Sequence, residues 1–266
     1  MGNMAFLSVS ALLALVPAAV LPYRGSGQRD TVFWLLLGVA LAGPLLWVAL
    51  AFGAGWRTGL APALWLNVTT VLAFYGLVVY FSREGFRLSA LLFPYLILLG
   101  LIATVAVGER EQPIYGYAPL GWVYFHIAVS LATYALLTLS AIAAVSTFLQ
   151  DRALKNKKVT TLTRALPTLS GGEALELRLL GLTACILVIG LLTGMAVQYF
   201  ETGDPLFMSH KTVLSFATFI IVVILLAVRW KTGLRGRKAA RVVLLAYLLL
   251  TLAYPGVKIV TTVMVS

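Results

Sequence analysis

Eight stretches of almost unbroken apolar sequence, at about 5–22, 32–53, 62–81, 89–107, 121–149, 175–200, 209–230 and 239–265, take up most of the 266 residues. An α-helix rises about 1.5 Å per residue, so roughly 20 apolar residues cross the hydrocarbon layer of a bilayer. Inside lipid no water satisfies a backbone N–H or C=O, and each stretch is therefore expected to be helical. The fold class that follows is an all-α membrane protein, a bundle of eight transmembrane helices forming one polytopic domain. A soluble globular domain is excluded, since 61% of the residues are hydrophobic and only 11% charged.

The distribution of cations orients the bundle. Sixteen of the twenty Lys and Arg residues lie in the loops after the first, third, fifth and seventh stretches or at the helix ends beside them, and only Arg57, Arg110, Lys211 and Lys258 fall on the other side. Short loops rich in Lys and Arg stay in the cytoplasm, so both termini are expected on the outer, periplasmic side. Val16-Pro17-Ala18-Ala19 resembles a signal-peptide cleavage site, but Met1-Gly2-Asn3-Met4 carries no basic residue, and the first stretch reads as a retained helix. The net charge of +11 then faces anionic lipid headgroups, which makes membrane lipids the partner and argues against nucleic acid.

The connection after the fifth stretch is the longest, at about 25 residues. It holds the basic run Lys155-Asn156-Lys157-Lys158 and room for a short interfacial helix in its first half. A Pro167-Thr168 break follows, then Ser170-Gly171-Gly172 as a lead into the sixth stretch with Glu173 in its first turn. In the last stretch Pro255-Gly256 is expected to kink the backbone, because proline removes a donor.

Few residues can carry chemistry. Cys185 is the sole cysteine, which excludes an intramolecular disulfide, a CxxC pair and a cysteine-based zinc site. The nine acidic residues read as lying in loops or at helix ends, and no GxSxG, HExxH or glycine-rich phosphate loop is present. An enzyme is not expected. What remains is the pair of histidines. His126 lies about five residues inside the fifth stretch from its outer end, and His210 opens the seventh stretch from the next outer loop, so both belong to the outer membrane boundary. Neutral imidazole ligates haem iron, and two imidazoles can fill both axial positions. Each histidine can equally serve as an interfacial hydrogen bonder.

The surroundings allow either reading. Trp47, Trp56, Trp65 and Trp122 lie toward the outer face, with Tyr115, Tyr117, Tyr124, Phe125, Tyr199, Phe200 and Phe207, whereas Trp34 and Trp230 alone mark the inner one. A porphyrin needs aromatic walls, and an interfacial aromatic belt needs the same residues. Haem propionates would pair with Arg57, Arg110, Lys211 or Lys258; Lys258, set inside the last stretch, is either a functional charge or a snorkelling one. Ser130 and Tyr134 follow His126 at i+4 and i+8, on one ridge. With Trp122 they either line a cofactor pocket or, as for Asn67, act as interhelical hydrogen-bond glue. Glu201 and Asp204, before His210, either bind a cation, orient that imidazole, or stay solvated.

Four segments in order, WVYFHIAVSLATYALLTLSA around His126, LPTLSGGEALELRLLGLTACILVIGLLTGM, HKTVLSFATFIIVVILLAVRWKTGLRGRKAA and LAYPGVK, resemble the cytochrome c assembly protein family of the CcsA and CcmC type, in its short HemX-like or YpjD-like branch. The resemblance covers about 121–260 and fades over 1–120. It implies that His126 is a haem ligand, that the cofactor is haem b, and that haem-handling or other membrane proteins of a bacterial cytoplasmic (inner) membrane are partners. Two features depart from the larger members. The tryptophan-rich WWD motif would fall in YFETGDPLFMSHKT, which has no tryptophan, and the second outer ligand would fall near Val263–Ser266, which has no histidine. His210, in the HKT element of the short branch, is then the remaining second ligand. The implied role is haem binding, delivery or haem-linked regulation. The alternatives are a membrane scaffold acting through the basic loop 151–164 and a small-solute transporter using Lys258.

Overall fold

The computed structural model describes residues 2–23, 30–53, 57–108, 112–113, 117–204, 209–234 and 236–253. Its helices are α1 (Gly2–Ala19), α2 (Thr31–Phe52), α3 (Leu60–Phe81), α4 (Ser89–Val105), α5 (Leu120–Lys155), α6 (Thr161–Ala165), α7 (Leu169–Thr202), α8 (His210–Thr232) and α9 (Arg237–Thr251). Among the described residues a two-residue antiparallel pair, β1 (Arg57–Thr58) and β2 (Gln112–Pro113), is the exception to helical structure. Among the described residues six helices, α2 to α5, α7 and α8, are long and apolar enough to cross a membrane, and α1 is a shorter apolar helix. The expected kink at Pro255-Gly256 lies outside the described residues.

Packing divides the chain into two units, Met1–Ile114 with Leu149–Gly172, and Tyr115–Phe148 with Glu173–Ser266. In the first unit α1 packs on α2 and α4, α2 on α3, and α3 on α4. α1 and α2 meet where Gly43 has no side chain: a Cβ there would stand 2.8 Å from Ala14 Cβ. The centre is filled by Trp65, Tyr75 and Phe93, all fully buried. Buried indole and phenol groups need partners. Trp65 Nε1 donates to Ser8 Oγ at 2.8 Å, and Tyr75 Oη donates to the Phe86 carbonyl at 3.0 Å.

The link from α5 to α7 departs from the expected boundaries. α5 runs six residues beyond the apolar stretch, to Lys155, and stops where Lys157 takes a positive φ of 51°. The short helix is α6, whose Thr160 and Thr163 form a reciprocal capping box. Gln150 Nε2 holds the link from behind, donating to the carbonyls of Thr163 and Pro167. Ser170, Gly171 and Gly172 are not a lead-in but the first turn of α7. Thr168 makes that turn: its Oγ1 accepts from Gly171 N at 3.2 Å and its carbonyl from Gly172 N at 2.8 Å.

In the second unit the core joins α5, α7, α8 and α9 through Leu137, Ala141, Ala144, Leu180, Val222, Leu225, Ala239, Ala240, Val243 and Ala246. α8 turns into α9 over Gly233 and Gly236, both at positive φ (64° and 67°), where a side chain would be strained. The Gly236 N–H donates to Glu173 Oε1 at 3.0 Å, so the carboxylate of α7 caps the turn.

Candidate functional site

The residue with open chemistry is His126, six residues past the start of α5 and half-buried. Its Nδ1 lies 3.0 Å from Thr193 Oγ1 on α7. Thr193 is 5% exposed, and its Oγ1 is also 2.9 Å from the Ile189 carbonyl and 3.1 Å from the Gly190 carbonyl, one turn back along the same helix. The next residue, Gly194, gives the imidazole its seat: a Cβ there would come within 2.9 Å of His126 Cε1. α7 thus presents bare backbone and one hydroxyl to the ring. Besides Thr193 the ring has the Gly190 backbone as a hydrogen-bond partner, and no bond to Nε2 is seen among the described residues.

The same end of the unit is rich in exposed aromatic surface. Trp122 and Phe125 stack with ring centroids 6.0 Å apart and planes at 17°. Tyr199 and Phe200 at the end of α7 are exposed and meet edge-on. Ala118 N donates to Glu201 Oε1 at 3.1 Å, joining the start of α5 to the end of α7. That bond uses Glu201 as a structural tie. Asp204 takes part in a local turn, its N–H donating to Thr202 Oγ1 at 3.3 Å.

The ridge expected of His126, Ser130 and Tyr134 does not face one partner. Each step of four residues advances about 40° beyond a full turn, so the three side chains diverge. His126 meets α7, Ser130 is exposed, and Tyr134 is buried with its Oη 3.1 Å from Tyr247 Oη and 3.2 Å from Thr251 Oγ1, both on α9. Tyr134 is therefore bundle glue. The buried Oδ1 of Asn67 has no hydrogen-bond partner among the described residues. Trp47 and Trp65 are likewise packed inside the first unit, their rings 6.1 Å apart, and are not free walls for a ligand.

His210 is the first residue of α8, behind Ser209, whose Oγ accepts from Thr212 N at 3.3 Å. Lys211 beside it is exposed. The side chains of His210 and Arg57, and all of Trp56, Arg110, Tyr115, Phe207 and Lys258, lie outside the described residues. No cluster of three or more His, Cys, Asp or Glu able to hold a metal ion is found among the described residues.

One polar site was missed in the sequence. Glu176 is not at a helix end but eight residues into α7 and 1% exposed, where Arg229 Nη2 of α8 donates to its Oε1 at 2.8 Å. Thr147 Oγ1 of α5 lies 3.4 Å from its other oxygen and 2.9 Å from the Ala144 carbonyl, which shares the hydroxyl's one proton. The signal was available: Glu176 stands between Leu175 and Leu177 and ahead of Leu179 and Leu180, and an acid in such company needs a buried cation.

Residues 59–265 match the model of the family described as "Cytochrome C assembly protein". The match takes in α3 and α4, ahead of the segments around His126 that carry the resemblance in the sequence. An "Uncharacterized 28.8 kDa protein in nifR3-like 5'region" of Azospirillum brasilense is 46% identical over 264 residues, 97% of either chain. "Inner membrane protein YpjD" of Escherichia coli K12 is 30% identical over 135 residues, 51% of this chain and 50% of its own. No solved structure gives a significant match.

Proposed function

The chain belongs to the cytochrome c assembly protein family, and from that premise we propose that it is a haem-handling, multi-pass protein of a bacterial inner membrane whose haem b site is built on His126. The observation that carries this reading is the state of the imidazole. One ring nitrogen is tied to Thr193, the ring rests on Gly194, and Nε2 has no partner among the described residues. A histidine whose one ring nitrogen is bonded to a neighbouring helix while the other is left without a bond is held as a ligating imidazole is held. The exposed stack of Trp122 and Phe125 one turn away suits an apolar macrocycle.

In this reading the helices make eight crossings, with both termini on the periplasmic side and the basic link at 151–164 in the cytoplasm. His210, at the head of α8, is the second imidazole available to the iron, and Lys211 with Arg57, Arg110 or Lys258 would neutralise the propionates. Bound haem supplies a redox-active iron and a visible chromophore. The chain supplies an oriented nitrogen and an aromatic wall. The loop between α7 and α8 has no tryptophan, so we place the role in haem binding, delivery or haem-linked regulation and not in joining haem to an apocytochrome.

The visible spectrum of protein gently extracted from membranes tests this. A Soret band that fades in His126→Ala is expected. Colourless protein that also fails to take up added hemin would overturn it.

A further inference from the structure

The hydroxyl of Thr193 has one proton and two lone pairs. Its proton has two carbonyls to choose from along α7, Ile189 at 2.9 Å and Gly190 at 3.1 Å, which is the usual back-bond of a threonine inside a helix. With the proton directed along α7, what Oγ1 turns toward His126 is a lone pair. The 3.0 Å contact to Nδ1 then requires the proton to be on the ring. In the opposite tautomer Thr193 would have to give up its carbonyl to donate to Nδ1.

We infer that Thr193 is a positioning residue that holds His126 in its Nδ1–H tautomer and so selects Nε2 as the nitrogen that bears the free lone pair. The tautomer is a property of the chain with nothing bound. That the lone pair goes to haem iron rests on the function proposed above. A ligating histidine in a metal site donates its other N–H to an outer acceptor that fixes the ring and raises its basicity, and here a threonine fills that role. Gly194 completes the device, because the ring can reach Thr193 only where α7 has no Cβ.

The test begins with the full-length apoprotein in detergent micelles, with histidine labelled at the ring nitrogens. The chain has two histidines, and the His126 resonances are identified by their loss in His126→Ala. The expected spectrum has a protonated Nδ1 and a bare Nε2. Thr193→Ser should keep it, while Thr193→Val, of nearly the same shape, should move the ring toward the Nε2–H form. A protonated Nε2 in the wild type, or a Thr193→Val spectrum unchanged from it, would overturn the inference. If Thr193→Val does not fold, the wild-type spectrum alone decides.

Hemin titration separates this from the broader reading. Thr193→Val should weaken hemin binding by about 10- to 100-fold, the usual cost of losing an outer partner of a metal ligand, and Thr193→Ser should restore it. If the tautomer shifts as stated and no form binds hemin, the haem assignment fails and the role of Thr193 stands. Hemin bound through His126 with equal affinity in Thr193→Val would leave the haem assignment in place and overturn the role of Thr193 toward the iron.

Discussion

Two polar sites sit toward opposite ends of α5 and α7 in the second unit, and they are built on opposite plans. Around Glu176 the ionic contact is closed: the carboxylate receives Arg229 at 2.8 Å, with the two side chains 1% and 6% exposed. Around His126 the contact is left open, with one nitrogen held and the other without a described partner. Both are costly to place in an apolar helix. The first recovers its cost internally and so serves the fold. The second is bonded through one nitrogen only, which is the feature the proposed haem site uses. The closed site is not perfect, since Arg229 Nε and the nearby Ser146 Oγ are buried without hydrogen-bond partners among the described residues.

Substitutions can break this contrast. The largest effect is expected at Glu176→Ala, which strands a buried guanidinium and should cost about 3–5 kcal/mol, read as a lower melting temperature in detergent. Replacing both partners, as Glu176→Leu with Arg229→Met, should recover most of that loss, because no buried charge is then left alone. If the double variant melts as low as the single, the pair does more than balance charge.

Gly194→Ala comes next. The new methyl would stand 2.9 Å from His126 Cε1, so the ring must shift, at about 1–3 kcal/mol for overpacking. Hemin uptake should fall with it. Uptake unchanged in Gly194→Ala would mean that the seat is looser than the structure shows. The smallest effect on stability, about 1 kcal/mol, is expected for His126→Ala. Thr193 keeps its carbonyl partner in that variant, so no buried donor is orphaned. A large drop in melting temperature would move His126 to the structural side of the comparison.

These two sites also mark how far the sequence can be read. Each apolar stretch contains a helix, because hydrophobic length leaves the backbone no other choice in lipid, and the cation bias carries the orientation proposed here. Glycine misled the reading of α7. Ser170-Gly171-Gly172 reads as a lead-in, yet Thr168 satisfies the N–H groups of Gly171 and Gly172, so the helix starts six residues before the apolar stretch, at Leu169. His126 was visible as a rare imidazole in an apolar run. Its partners were not: Thr193 and Gly194 sit in the run LLTGM, which looks like any other stretch of α7, and only the packing of α7 on α5 shows what they touch. Glu176 and Arg229 are 53 residues apart, and nothing local pairs them. The tryptophans show the same limit, since Trp65 stands near the helix end where an interfacial belt would place it but turns inward to Ser8.

The central claim is that His126 offers its free nitrogen to haem iron. Pulsed electron paramagnetic resonance of the hemin-loaded protein, with isotope-labelled histidine, measures that bond directly. The account predicts hyperfine coupling between the iron and histidine nitrogen, of which the part due to His126 is lost in His126→Ala. Hemin bound without such coupling, or coupling that persists unchanged in the variant, would contradict it.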